Sequence, residues 1–100
     1  MLNKKTVLTV LIALVSSVAM SAHAYTGENL AKNAKITLQT ARSIALKTYP
    51  GKIVKVELER EAGGSGLRYT FDMQKKGQEA HEVGIDAATG KVLADGSDMD

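Results

Sequence analysis

One hundred residues, no Cys, one Pro and a formal net charge of +2 allow a single small domain. That length excludes a barrel or a two-lobed catalytic scaffold. The lack of Cys excludes disulfides, thiolate zinc sites, a thiol nucleophile and a lipid-modified N-terminal Cys.

The first segment, residues 1–24, reads as an export signal. Lys4 and Lys5 precede an apolar run from Val7 to Met20, and the run ends in Ser21-Ala22-His23-Ala24. A basic start, a short apolar core and an A-x-A end describe a secretory signal peptide, with cleavage expected between Ala24 and Tyr25. The apolar run is shorter than the roughly 20 residues of a membrane span, so contact with a membrane is expected only during export. Two of the thirteen Lys and Arg leave with the signal, and the eleven that remain match eleven Asp and Glu. A neutral mature chain with interspersed charges lacks the clustered cations of a nucleic-acid binder. The expected location is the bacterial periplasm or the exterior, and there the core must hold the chain without disulfides.

Residues 25–35 form a polar lead-in, with Leu30, Ala31 and Ala34 at the spacing of a short helix. Thr37 then stands as a helix cap, with Ile36 placed to staple onto a later apolar residue. Leu38, Ala41, Ile44, Ala45 and Tyr49 fall within an arc of about 140° on a helix. Pro50 disfavours helix at Tyr49, and Gly51 supplies an exit through backbone angles that other residues avoid.

Three alternating runs follow. In Ile53–Arg60, the residues Val54, Val56 and Leu58 face one side and Lys55, Glu57 and Glu59 the other. Glu61–Gly66 is a flexible turn. Leu67, Tyr69, Phe71 and Met73 oppose Arg68, Thr70, Asp72 and Gln74 in the second run. The third, Gln78–Asp86, places His81, Val83 and Ile85 on one face. Asp86-Ala87-Ala88-Thr89-Gly90 closes the next turn, with Asp86 and Thr89 bonding to backbone and Gly90 taking a special conformation. Lys91–Ala94 is a short last strand, and Asp95–Asp100 an acidic, frayed tail. Short connections make the strands antiparallel. The expected fold is α+β, with one amphipathic helix over a three- to four-stranded antiparallel meander within residues 36–94.

The ordered combination of the helix Thr37–Leu46, Tyr49-Pro50-Gly51-Lys52-Ile53-Val54, Tyr69-Thr70-Phe71-Asp72 and Glu82-Val83-Gly84-Ile85-Asp86-Ala87-Ala88-Thr89-Gly90-Lys91-Val92-Leu93 resembles a PepSY domain. The resemblance implies a small non-catalytic module of the kind found in pro-segments of secreted metallopeptidases and as stand-alone secreted proteins. Such modules inhibit or modulate peptidases at the cell envelope. The chain departs from the pro-segment arrangement, because nothing like a peptidase follows Leu93.

Candidate chemistry is thin. His81 is the one His after the signal, and alternation sets Glu82 on the opposite face, so no metal site is expected from it with Glu79, Glu82 or Asp72. Ser43, Ser65 and Ser97 have no evident triad, and Glu57 and Glu59 have no cleft. Asp95, Asp98 and Asp100 lack the Gly and Glu positions of a calcium loop. No enzyme activity and no cofactor are therefore expected. The expected partner is a protein, such as a peptidase or an envelope sensor. It would dock on an open sheet edge or on the charged face Lys55, Glu57, Glu59, Arg68, Thr70 and Asp72. The alternative is a carrier of a small ligand or metal, or a self-associating structural protein of the periplasm. A monomer or weak homodimer fits either reading.

Overall fold

The computed structural model describes residues 24–97. The expected export signal lies outside them, apart from Ala24.

The helix α1, Leu38–Thr48, starts where the sequence supplies a cap: the Thr37 hydroxyl accepts the Thr40 amide at 3.1 Å. Ala41 and Ala45 are fully buried, and their small side chains let the helix approach the sheet closely. It ends as Tyr49 turns extended ahead of Pro50 (φ −142°, ψ 100°).

Four strands follow: β1 (Lys52–Arg60), β2 (Leu67–Gln74), β3 (His81–Asp86) and β4 (Val92–Ser97). They pair antiparallel in the order β1-β2-β3-β4, a plain meander. Leu67, Tyr69, Phe71 and Met73 from β2 and Val83 and Ile85 from β3 are buried on the face under the helix. The fold is α+β, one helix on a four-stranded open sheet. The helix lies over β2, β3 and β4 and not over β1. A 3₁₀ turn, Glu28–Asn33, covers part of β1 instead, and Thr26 pairs in parallel with Glu57 on the outer edge of that strand.

The structure departs from the expectations of the sequence in four places. The β1–β2 register shifts between Ile53 and Lys55. This bulge turns Val54 out to solvent, 56% exposed, and Ile53 packs against the core in its place. A period of two cannot anticipate one inserted residue. The third strand begins at His81 rather than Gln78, because Lys75–Gln78 closes a turn through Gln78 N–H to Lys75 C=O at 3.0 Å. The last strand starts one residue late and runs on to Ser97, so Asp95 is not the start of a tail. The added residues find partners: Val83 pairs with Asp95, Glu82 with Gly96 and His81 with Ser97. Gly51 is needed for space rather than for its angles. Its φ is not positive, and a Cβ there would stand 2.9 Å from the Gln74 carbonyl oxygen.

The bulge separates two residues that strict alternation would place on one face, Val54 and Leu58, energetically. Val54→Ala is expected to change stability by less than about 0.5 kcal/mol, whereas Leu58→Ala, at a fully buried site, is expected to cost about 3 kcal/mol. Urea unfolding midpoints measure both. Equal losses would contradict the register.

Candidate functional site

The charged sheet face comes together as one surface. On the side away from α1 the pairs are Glu59 with Arg68, Glu57 with Thr70 and Lys55 with Asp72. Much of it is spent inside the domain. Arg68 and Thr70 are buried. Arg68 Nη2 donates to the Ala62 carbonyl at 3.0 Å and Nη1 lies 3.7 Å from Glu61 Oε2. The Thr70 hydroxyl donates to Glu59 Oε2 at 2.9 Å. Lys55 sits 3.8 Å from Glu57 at the surface, a pair that contributes little. Arg68 is covered by the turn Glu61–Gly66, which folds back onto it, a contact with no local sequence signal.

Asp86 holds that turn down. Its carboxylate accepts the hydroxyl of Ser65, the Ser65 amide at 3.0 Å and the Ala88 amide at 2.9 Å. Hydrogen bonding from the Ser65 hydroxyl, followed by that from Ala88 N–H, lowers its pKa from 3.8 to about 2, against the opposing effect of burial. The turn itself closes through Gly90 N–H to Asp86 C=O at 2.9 Å and Lys91 N–H to Thr89 Oγ1 at 3.2 Å, with Gly90 at φ +82°.

At the other end of the sheet, the His81 ring stacks on Tyr49 with centroids 3.8 Å apart and planes 7° from parallel. His81 Nε2 contacts Asp95 Oδ1, and Lys75 Nζ lies 4.3 Å from the Tyr49 ring centre. His81 and Ser65 are separated by about five residues of β2, roughly 17 Å, so the Ser65–Asp86 pair has no imidazole beside it. Among the described residues no three His, Cys, Asp or Glu side chains converge to hold a metal. No helix among them is long and apolar enough to cross a membrane.

A concave feature lies elsewhere. Because α1 stands over β2–β4, a trough of about 730 Å³ opens between the helix and β1, bounded by Tyr25, Leu38, Arg42, Val54 and Lys55. Its floor is the part of the β1 edge that Thr26 leaves uncovered. Leu58 N–H donates to Thr26 C=O at 2.9 Å, so this edge already carries one added backbone segment. Sequence reasoning named an open edge in general terms but missed Arg42 and Val54, since both depend on how far the helix is offset from β1.

The comparisons with known proteins bear on the same region. A family model described as "Peptidase propeptide and YPEB domain", PepSY, matches residues 35–95. The chain belongs to the PepSY family. The match runs from the residue that leads into α1 to the middle of β4 and so takes in the whole helix-on-sheet unit. No curated protein and no solved structure matches it. The family is associated with peptidase propeptides and inhibitors, which makes a protein the partner class for this PepSY domain.

The low pKa of Asp86 predicts an acid limb in the stability of the domain. The folded value lies below the unfolded one, so its contribution is complete above about 3.8 and is lost as pH falls through about 2. Asp86→Asn should flatten the urea midpoint across that window, and Asp86→Ala should cost about 2 kcal/mol at neutral pH. An unchanged acid limb in Asp86→Asn would show that the carboxylate is not the anchor.

Proposed function

We propose that this PepSY protein is a non-catalytic, exported binding module that engages an extended segment of a peptidase or another envelope protein along the open edge of β1. The observation that carries this reading is the uncovered stretch Ile53–Val56 beside a trough, next to a stretch already paired with Thr26. An exposed edge offers unpaired N–H and C=O groups in fixed register, and adjoining side chains supply selectivity. The charged face is the weaker route. Two of its six residues are buried and bonded within the domain, so docking there would gain little from them. The bulge at Val54 and the lysines at 52 and 55 oppose long edge-to-edge pairing between copies of this chain, which favours a monomer.

Family membership supports the non-catalytic part of the reading, and the basic-apolar-A-x-A segment supports export with cleavage after Ala24. Mass measurement of the protein recovered from exporting cells should therefore give a chain that begins at Tyr25. A chain retaining Met1 would remove the export half of the proposal.

A photo-crosslinking amino acid at position 54 tests the binding half. The expected result is an adduct with one identified peptidase or envelope protein, reproduced with the purified pair and absent when the crosslinker is moved to position 91. Adducts formed from position 72 and not from 54 would transfer the interface to the charged face. No adduct from either position would sink the binding reading.

A further inference from the structure

The β1 edge is shared between an open stretch and a segment of the same chain. Residues 25–34 precede the matched PepSY unit, which begins at residue 35, and they lie beside that edge. Thr26 pairs in parallel with Glu57, and its carbonyl accepts the Leu58 amide at 2.9 Å. Gly27 follows at φ +85°, so close to β1 that a Cβ there would collide with the Leu58 carbonyl. The segment therefore sits where an added strand would sit, with a residue that has no side chain at the point of closest approach. Its hold is slight. The 3₁₀ turn Glu28–Asn33 contains no buried residue, and Tyr25, Leu30 and Ala34 are only half-buried against the core. The turn closes on itself, through Glu28 N–H to Tyr25 C=O at 3.1 Å and Leu30 N–H to Gly27 C=O at 2.8 Å, so those bonds do not depend on β1.

A partner segment paired along Ile53–Val56 would meet Thr26 at the next position. It must stop there or take the place of Thr26 on Leu58 N–H. Replacement exchanges one backbone hydrogen bond for another of the same kind and lets the incoming segment extend its pairing to Leu58. Resting on the edge-binding reading above, we infer that Tyr25–Gly27 is a displaceable strap, an autoinhibitory contact that competes with the partner's extended segment for β1 at Glu57 and Leu58. The strap also keeps this part of the edge from pairing with other copies until a partner arrives, the usual hazard of an open strand. The apparent affinity for the partner is then set by the fraction of molecules whose strap is lifted.

Two variants move the strap in opposite directions. Gly27→Ala lifts it, because the new methyl group cannot pass the Leu58 carbonyl. The pair Thr26→Cys, Glu57→Cys stands at bridged positions in a chain that has no other Cys. It locks the strap under oxidising conditions and releases it with a reductant. The probe is the purified partner captured by the crosslinker at position 54, and each protein carries that crosslinker. At limiting partner, Gly27→Ala should raise the adduct yield about fivefold, the effect of one hydrogen bond of ordinary net strength. The oxidised pair should lower the yield, and reductant should restore it. Amide hydrogen exchange checks the cause: Gly27→Ala should expose Leu58 N–H while the Phe71 and Val83 amides of the central strands stay protected. Equal yields from the oxidised and the reduced pair overturn the inference and leave the edge reading standing, whether or not Gly27→Ala folds. So does a Leu58 amide that keeps its protection in Gly27→Ala. Adducts from position 72 instead, or none from any variant, remove the edge reading and the inference with it.

Discussion

The turn from Asp86 to Gly90 is where the separate parts of this domain are fastened to one another. The Asp86 carboxylate draws the β1–β2 turn onto the sheet through Ser65, and its own amide donates to the Lys91 carbonyl at 2.8 Å. One residue on, the Ala87 carbonyl receives the amides of Lys35 and Ile36 at 2.9 and 3.0 Å, while its amide donates to Leu67 at 2.8 Å. The entry to α1, the start of β2 and the β3–β4 connection therefore meet within two residues. A buried carboxylate is tolerable there because the Ser65 hydroxyl and the amides of Ser65 and Ala88 donate to it. Tyr69 reinforces the same corner, donating to the Ile36 carbonyl at 3.0 Å; burial pushes its phenol up and keeps it a donor. For a small domain with no disulfide, such a polar clasp adds directional specificity to a core that numbers ten buried apolar residues among those described.

That clasp also explains where the domain is open. Tying the start of α1 to Ala87 places the helix over β2–β4, and among the described residues the outer edge of β1 has Thr26 and the 3₁₀ turn beside it. The trough follows from this offset. A helix centred on the sheet would have covered Ile53 and Val56 and given Arg42 nothing to face. The opposite, charged face has the reverse history. Its turn folds back, Arg68 lies along the notch left by Gly84, and the Arg68 Nη2 and Thr70 hydroxyl find partners within the domain, while Arg68 Nε is buried without one. Of the two candidate surfaces, the one that looked richer in charge is the one the fold consumes.

The extent to which this was legible varies with the range of the interaction. The Thr37 cap, the Ala41 and Ala45 stripe and the inward set Leu67, Tyr69, Phe71 and Met73 are local patterns, and they read correctly because neighbours along the chain decide them. The ordered PepSY motifs were legible for the same reason. Val54 was misread because a bulge is settled by the partner strand, and Asp95 because acidic residues outside a pattern look like tail until β3 supplies a ladder for them. Gly51 was rightly placed at the exit of the helix but for the wrong reason, since crowding from Gln74 comes from across the sheet.

From the order of its residues alone, this protein has a basic-apolar head, charge balance in everything after it, one amphipathic helix and a series of alternating strands. Those properties rest on composition and on periods of two and 3.6, which survive without knowledge of any contact. Only the tertiary structure decided which charges are used internally and which remain for a partner. Arg68 and Arg42 are the same residue type in equally plain sequence surroundings. A turn returning over the sheet buries the first, and a helix held away from β1 leaves the second beside an open trough. Burial of that kind is a product of chain segments far apart in sequence, and no local pattern encodes it.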